Sequence, residues 1–290
     1  MTLSQLKTFI AVAEDGSVRA AAERLHVSQP SVSGSIAALS DEVGVALTER
    51  DGRGMKLSPA GEVFLPHARE ALGLLVQGTR MAQSALAKEQ ATVRIAAVYT
   101  AAEFVLPMLL RAFREAHPEI PIQLEIGNRE HVLELLESRE ADIGICGRAP
   151  DDGVYEGLRI ATNAHVVVAA PDHPLAKLEQ IALRDLGSET WLVREEASGT
   201  RRLVDEYLAG ALITPPKTTI GSNSAVAAAA MVGLGVGVVP LVAVGHQIAA
   251  GSIVQLDVVP SPPSRDWFAL LPVRRPSPAA RVLADFLTQQ

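Results

Sequence analysis

The chain has 290 residues, 48% of them hydrophobic and 4% aromatic, and carries a formal net charge of −7 at pH 7. The length suggests two domains, and the acidic balance argues against a protein that coats nucleic acid regardless of sequence. The single cysteine, Cys146, excludes an intrachain disulfide framework and a cysteine-based zinc cluster, and it fits a reducing cytoplasm.

No signal peptide is expected, because the early apolar run Phe9–Ala13 stops at Glu14 and Asp15. Leu3, Leu6, Phe9, Ile10 and Ala13 form an apolar stripe at helical spacing. Asp15-Gly16 ends that helix, and Ser17 can cap a second, which carries Val18, Ala21, Ala22 and Leu25 on one side. After a tight turn at His26-Val27, Ser28 caps a third helix with Pro30 in its first turn and Val32, Ile36 and Leu39 as its apolar side. The opposite side shows Gln29, Pro30, Ser31, Ser33 and Gly34, with no charge to solvate it. Gln can bond an adenine edge, Ser can meet bases or phosphates, and Pro suits thymine methyls. Helix, turn and reading helix make a helix-turn-helix, with a plain packing bundle as the alternative. Residues 1–58 hold six basic and seven acidic side chains, so the case for DNA rests on this pattern and not on bulk charge.

Two short β-like stretches follow around Gly52 and Gly54 and bring Arg50, Arg53 and Lys56 together. Beside a reading helix this is a wing, with Arg53 at its tip directed to a minor groove and the other cations to phosphates. From Pro59 to Glu89 few residues break a helix, and Val63, Ala68, Leu72, Leu75, Val76, Thr79, Ala82 and Leu86 are expected on one side. Pro66 should kink it locally. The stripe is too long for the small winged domain to cover, so it is expected to pair with a second copy of the chain or to pack on its own C-terminal module.

Beyond Thr92 strands and helices alternate. Strands are expected at Val93–Val98, Ile122–Ile126 and Ile143–Cys146, with helices at Val105–Ala116 and Val132–Ser138. A second set has strands at Val166–Ala170, Trp191–Val193, Lys217–Ile220 and Val236–Val239, with helices at Gly199–Leu208 and Asn223–Val232. Trp267–Leu271 and the helix Pro278–Thr288 are expected to return to the first set. The pattern is two α/β lobes joined by two crossovers, and ligands in such sheets sit beyond strand ends, between the lobes. Candidate ligand contacts are Thr100, Ala101, Asn128, Gly147 and Arg148 from one lobe, and Ser198, Gly199, Thr200, Ser222 and Asn223 from the other. Helix starts and an Arg suit an anion.

Other chemistry is less well supported. Residues 225–244 are uncharged but Gly- and Pro-broken, so a buried helix and strand are expected there and no membrane span. The glycines at 233, 235 and 237 follow a helix and enter a strand, the reverse of a nucleotide loop. No histidine pair has metal-ligand spacing, and Cys146 reads as a packed thiol.

The string AAAERLHVSQPSVSGSIAALSDEVGVALTERDGRGMKLSPAG resembles the DNA-binding domain of LysR-type transcriptional regulators, and the likeness continues over the rest of the chain. It implies a fold of three parts. Residues 1–58 would form the winged helix-turn-helix and 59–89 the linker and dimerisation helix. Residues 90–290 would form a two-lobed α/β effector domain like that of periplasmic binding proteins, with lobe I near 90–162 and 267–290 and lobe II near 163–266. Departures from the family pattern are Gly34, where a longer polar residue is common, and Thr48, where Phe is common.

The stretches Leu124–Glu130, Gly147–Pro150 and Arg194–Arg201 resemble regulators of carbon-fixation (RuBisCO) operons. That implies no resident cofactor but a small effector, a phosphorylated metabolite or a nicotinamide nucleotide. The implied partners are double-stranded promoter DNA, the chain itself as dimer or tetramer, and RNA polymerase. The implied role is a cytoplasmic regulator and not an enzyme. A small-molecule binding protein or enzyme, with the N-terminal helices serving only assembly, is the rival.

Overall fold

The computed structural model describes residues 1–51, 54–87, 92–150 and 153–289, and the chain divides into two compact units, Met1–Glu89 with Glu137–Glu140 and Gln90–Leu136 with Ala141–Gln290.

The first unit opens with α1 (Leu3–Asp15), α2 (Val18–Leu25) and α3 (Gln29–Val43). Each start has a chemical cause. Thr2 and Gln5 form a reciprocal capping box, Ser17 accepts from the Ala20 amide, and Ser28 accepts from the Ser31 amide. Gly16 and Gly44 end α1 and α3 in the left-handed region, where an L side chain is strained. His26 holds the same conformation at φ 55° and sets the turn between α2 and α3. Leu6, Phe9, Val12, Ala21, Ala22, Val32, Ile36 and Leu39 form the core, and Arg24 ties α2 to α1 through Glu14 and Asp15.

The antiparallel pair β1 (Thr48–Asp51) and β2 (Gly54–Leu57) follows, with Thr48 opposite Leu57. Leu47 is fully buried beneath it, so Thr48 does not prevent the hairpin from packing. α4 (Pro59–Ala87) runs as one α-helix with Pro66 inside it. Phe64, Leu65, Ala68 and Leu72 pack into the first unit's core, whereas Val63, Leu75, Val76 and Met81 are exposed.

In the second unit, β3 (Val93–Val98) leads into a π-helical segment, Ala101–Val105, and then α5 (Leu106–Ala116). β4 (Ile122–Gly127), α6 (Arg129–Glu137), β5 (Ile143–Cys146) and β6 (Tyr155–Asn163) follow. The other lobe holds β7 (His165–Ala169), β8 (Ile181–Ala182), β9 (Trp191–Val193), α7 (Gly199–Gly210), β10 (Lys217–Thr219), α8 (Asn223–Met231), β11 (Val236–Pro240), α9 (Gly245–Ala249), β12 (Val254–Leu256) and β13 (Val258–Val259). β14 (Arg265–Pro272) and α10 (Pro278–Thr288) complete the chain.

The first lobe's sheet has the order β4-β3-β5-β14-β6, and the second lobe's has the order β10-β9-β11-β7-β12. β3 is parallel to β4 and β5, but β14 is antiparallel to both β5 and β6, so the sheet is mixed. β7 is likewise antiparallel to β11 and β12. β6, β8, β12 and β13 are absent from the sequence expectation. β6 alternates half-buried and exposed residues only over Glu156–Ile160 before a register shift against β14 interrupts the pattern, so its period-2 signal is short.

The chain passes between lobes twice, at Ala164 after β6 and again before β14, and Asn163 stands opposite Arg265 where these strands pair. Gly235 follows α8, at a point where a Cβ would lie 2.2 Å from the Thr190 carbonyl oxygen. This glycine permits a close backbone approach; it cradles no phosphate. Among the described residues no helix is long and apolar enough to cross a membrane, and no group of three or more potential ligands could hold a metal ion.

Candidate functional site

Two separate surfaces carry the candidate chemistry. On α3, Gln29, Pro30, Ser31, Ser33 and Gly34 are all exposed, while Val32, Ile36 and Leu39 are buried. The helix therefore offers a face of small and uncharged groups, held rigid by its own core. Arg50 is exposed on β1. Lys56 is exposed on β2 but pairs with Glu49 across the hairpin, 3.1 Å between Nζ and Oε1. Such an exposed pair is weak and can give way to a phosphate. Arg53 lies outside the described residues.

The second surface is a cavity of about 760 Å³ within the two-lobed unit. Eight of the sequence-derived contacts line it: Thr100, Asn128, Gly147, Arg148, Ser198, Gly199, Thr200 and Asn223. Two do not. Ala101 is fully buried in the first lobe's core, because the π-helical turn points it inward. Ser222 serves as the cap of α8, with its Oγ accepting from the Ala225 amide.

The contributing elements explain the convergence. β3 ends at Val98 and delivers Thr100; β4 ends at Gly127 and delivers Asn128; β5 ends at Cys146 and delivers Gly147. In the other lobe Ser198 opens α7 and Asn223 opens α8. Asn223 Nδ2 donates to Thr100 Oγ1 at 2.8 Å and to Thr200 Oγ1 at 3.4 Å, so one amide joins threonines of both lobes. Ser224 Oγ donates to Glu103 Oε2 at 2.7 Å, a second link between lobes.

Five arginines and two carboxylates line the cavity, Arg129, Arg148, Arg194, Arg202 and Arg265 against Glu206 and Asp266. Both carboxylates are committed, Glu206 to Arg265 and Asp266 to Arg159, each at 2.8 Å. Arg194 is buried and doubly bonded to Glu195 at 2.7 and 2.8 Å. The wall thus carries more positive than negative charge, a field that favours an anion.

At the crossover, Asn163, His165 and Trp267 are buried and line the same cavity. Asn163 Oδ1, His165 Nδ1, Asn223 Oδ1 and Trp267 Nε1 have no hydrogen-bond partner among the described residues. Each such orphan costs about 1–3 kcal/mol, which a bound polar group or a shift of the lobes can recover. Burial, reinforced by the positive charge of Arg265, holds the His165 imidazole down to about 4, so it is neutral at pH 7. Cys146, at the end of β5, is fully buried and its thiol is pushed up to about 11 by burial, which makes it a poor nucleophile.

Arg129, Arg194, Arg202, Arg265, Asn163, His165 and Trp267 are cavity residues that the sequence reading missed. Arg129 and Arg202 each stand within three residues of a predicted contact, so a fuller reading of those helix starts could have found them. The crossover residues carry no such signal, because their position depends on how β6, β7 and β14 meet.

Comparison with known proteins yields a consistent picture. Residues 87–290 match the LysR substrate binding domain, and residues 3–62 match the bacterial regulatory helix-turn-helix protein, lysR family. The HTH-type transcriptional regulator CfxR of Cupriavidus necator is 35% identical over 100% of this chain and 92% of that protein. A RuBisCO operon transcriptional regulator of Allochromatium vinosum is 35% identical over 100% of this chain and 96% of its own length. Among solved structures, the Synechocystis CcmR regulatory domain in complex with 2-PG is 28% identical with a TM-score of 0.64, covering 68% of this chain and 96% of that one. Full-length CbnR complexed with its target DNA is 26% identical with a TM-score of 0.61, covering 100% and 99%.

Proposed function

Because the chain belongs to the LysR family of bacterial helix-turn-helix regulators, we propose that it reads promoter DNA through α3 and the wing and adjusts that binding to a small anionic effector held between the lobes. The observation that carries this reading is the pairing of an uncharged exposed helix face with a separate cavity rich in arginine. The functions named for its relatives support it.

Gln29, Pro30, Ser31 and Ser33 read base edges in the major groove. Arg50 and Lys56 meet phosphates, and Arg53 enters the minor groove. The winged domain is residues 1–58, the linker 59–89 and the effector domain 90–290. Within the effector domain, lobe I is near 90–162 and 267–290 and lobe II near 163–266. The exposed Val63, Leu75, Val76 and Met81 on α4 support pairing with a second copy of the chain, as dimer or tetramer, on a two-fold operator. The protein works in the cytoplasm, acts on transcription and not as an enzyme, and meets RNA polymerase at the promoter. The likeness to carbon-fixation regulators supports a phosphorylated metabolite or a nicotinamide nucleotide as effector. Binding shifts the lobes only through its different affinity for their two arrangements.

The test is a nuclease footprint on the DNA upstream of this protein's own gene and on fragments enriched from the genome by the purified full chain. Protected patches spaced by about 10 bp or multiples, and lost on Gln29→Ala, are expected. Enrichment of no sequence over random DNA at low salt, where phosphate contacts are strongest, would favour the binding-protein alternative.

A further inference from the structure

We propose that Arg69 of α4 is a positioning residue that couples DNA occupancy of the reading helices to α6, through ion pairs with Glu14 on one side and Glu137 on the other. This rests on the reading of α3 as the DNA-binding helix and adds a route by which the bound state is communicated.

Glu137–Glu140, the last residue of α6 and the turn after it, belong to the same compact unit as α1 to α4. They lie against one face of α4, where Arg69, Glu70, Gly73 and Arg80 recur at helical spacing. At Gly73 a Cβ would lie 2.4 Å from the Ser138 carbonyl oxygen, so the turn approaches α4 more closely than any side chain there would allow. Arg139 is buried and holds φ 56°, a left-handed conformation that is strained for a residue with a side chain. Glu70 pairs with its guanidinium at 3.2 Å, and Arg80 donates to its carbonyl oxygen. A close backbone contact, a buried guanidinium and a main-chain hydrogen bond therefore seat this turn on α4.

Arg69 extends that seat to the reading domain. Its Nη2 donates to Glu14 Oε1 of α1 at 3.2 Å, and its Nη1 donates to Glu137 Oε2 at 3.4 Å. Glu14 also accepts from Arg24 of α2 at 2.8 Å. The series Arg24, Glu14, Arg69, Glu137 thus runs unbroken through α2, α1, α4 and α6. The Arg69 side chain is 17% exposed, so solvent screens it less than the fully exposed pairs on the surface. A planar guanidinium has separate donors for two carboxylates and holds both in fixed geometry.

The other end of α6 begins in the cavity. Asn128 Oδ1 accepts from the His131 amide at the start of the helix, and Asn128 and Arg129 both line the cavity wall. α6 has nine residues, a short stiff rod with no proline or glycine to absorb a displacement. DNA that fixes α1 to α3 fixes Glu14, and Glu14 restrains Arg69 and with it the end of α6. A contiguous network of this kind carries coupling, and linkage makes the coupling act equally in the opposite direction.

The test is hydrogen exchange read by mass spectrometry on the full chain, with and without a duplex enriched from the genome. In the wild-type chain the duplex should slow exchange at α3, and also at α6 and the turn after it, the latter by about fivefold or more, the lower end of ordinary coupling between sites. Arg69→Gln should keep the protection of α3 and erase the response of α6. Glu137→Gln leaves the pair between Arg69 and Glu14 in place and should do the same, so it decides the matter should Arg69→Gln fail to fold. A purely structural tie would raise the exchange of α6 alike with and without DNA and leave the difference between them intact, which would overturn the proposal. So would protection of α3 with no response of α6 in the wild-type chain, or a response that survives both substitutions. A chain whose α3 gains no protection from any duplex would overturn the DNA reading and this proposal together.

Discussion

The face of α3 proposed to read DNA and the proposed effector cleft pose opposite problems. The face on α3 is a continuous stretch of one helix. Its side chains are exposed and uncharged, and their positions are fixed by buried Val32, Ile36 and Leu39 one turn away. The cleft draws on the ends of β3, β4 and β5, the starts of α7 and α8, and the strands that cross between lobes. Several of its groups are charged or orphaned, and one of its polar bonds bridges segments 123 residues apart. A reader of a rigid duplex is best built as a rigid local surface. A sensor that must change state is best built where two bodies meet and where some polar groups stay unsatisfied.

That contrast can be broken most severely from the core of the reading domain. Leu39 is fully buried, so Leu39→Ala should destabilise the N-terminal unit by about 2–5 kcal/mol. Chemical denaturation should then show an early transition, with the melting of the effector unit unchanged. A single shifted transition would mean that the two regions do not unfold independently.

Next comes the pH response of the cleft. His165 has a folded pKa of about 4 against an ordinary value of 6.5. Its neutral form is favoured by folding, so its contribution is full above pH 6.5 and is lost as pH falls toward 4. The full span is about 3 kcal/mol. His165→Gln should flatten the fall in melting temperature across that window, provided the variant folds. An unchanged pH profile would place the acid sensitivity elsewhere.

A smaller effect sharpens the DNA side. Gln29→Ala should cost about 1–3 kcal/mol of discrimination at one base pair of each half-site, read by competition with single-base operator variants. On the cleft side, Asn223→Ala removes the amide that joins Thr100 and Thr200 and should cost about 1 kcal/mol in stability. It should also alter effector affinity, measured by calorimetry, while DNA affinity without effector stays within about twofold.

The same contrast governs what could be read from residues alone. The winged domain was legible because its signals are local: a cap at Ser28, Pro30 in the first turn, an apolar stripe and a bare face within one helix. The lobes were legible as alternating strands and helices. Thr100, Ser198 and Asn223 line the cavity, and helix starts after strands are what pointed to them. Ala101 and Ser222, chosen by the same rule, do not line it. The π-helical turn after β3 sends Ala101 into the core, and the cap of α8 uses Ser222 for its own backbone. Arg265, Asn163 and Trp267 were missed because the period of β6 is short and interrupted, and without β6 the pairing that brings Arg265 opposite Asn163 cannot be seen. On α4 the apolar residues expected on one side divide into Ala68 and Leu72, packed on the unit's own core, and Val63, Leu75 and Val76, left exposed, a division that depends on tertiary contacts.

The central claim is that α3 reads base edges while Arg50 and Lys56 of the wing hold the backbone. The most direct test is the affinity of the wild-type chain, Gln29→Ala and Arg50→Ala for an enriched operator and for a scrambled duplex, across a series of salt concentrations. The account predicts that Gln29→Ala lowers the ratio of operator to scrambled affinity and leaves the salt slope intact. Arg50→Ala should weaken both duplexes alike and reduce the slope by about 1. A Gln29→Ala variant that keeps the wild-type ratio, or that weakens both duplexes equally, would contradict it.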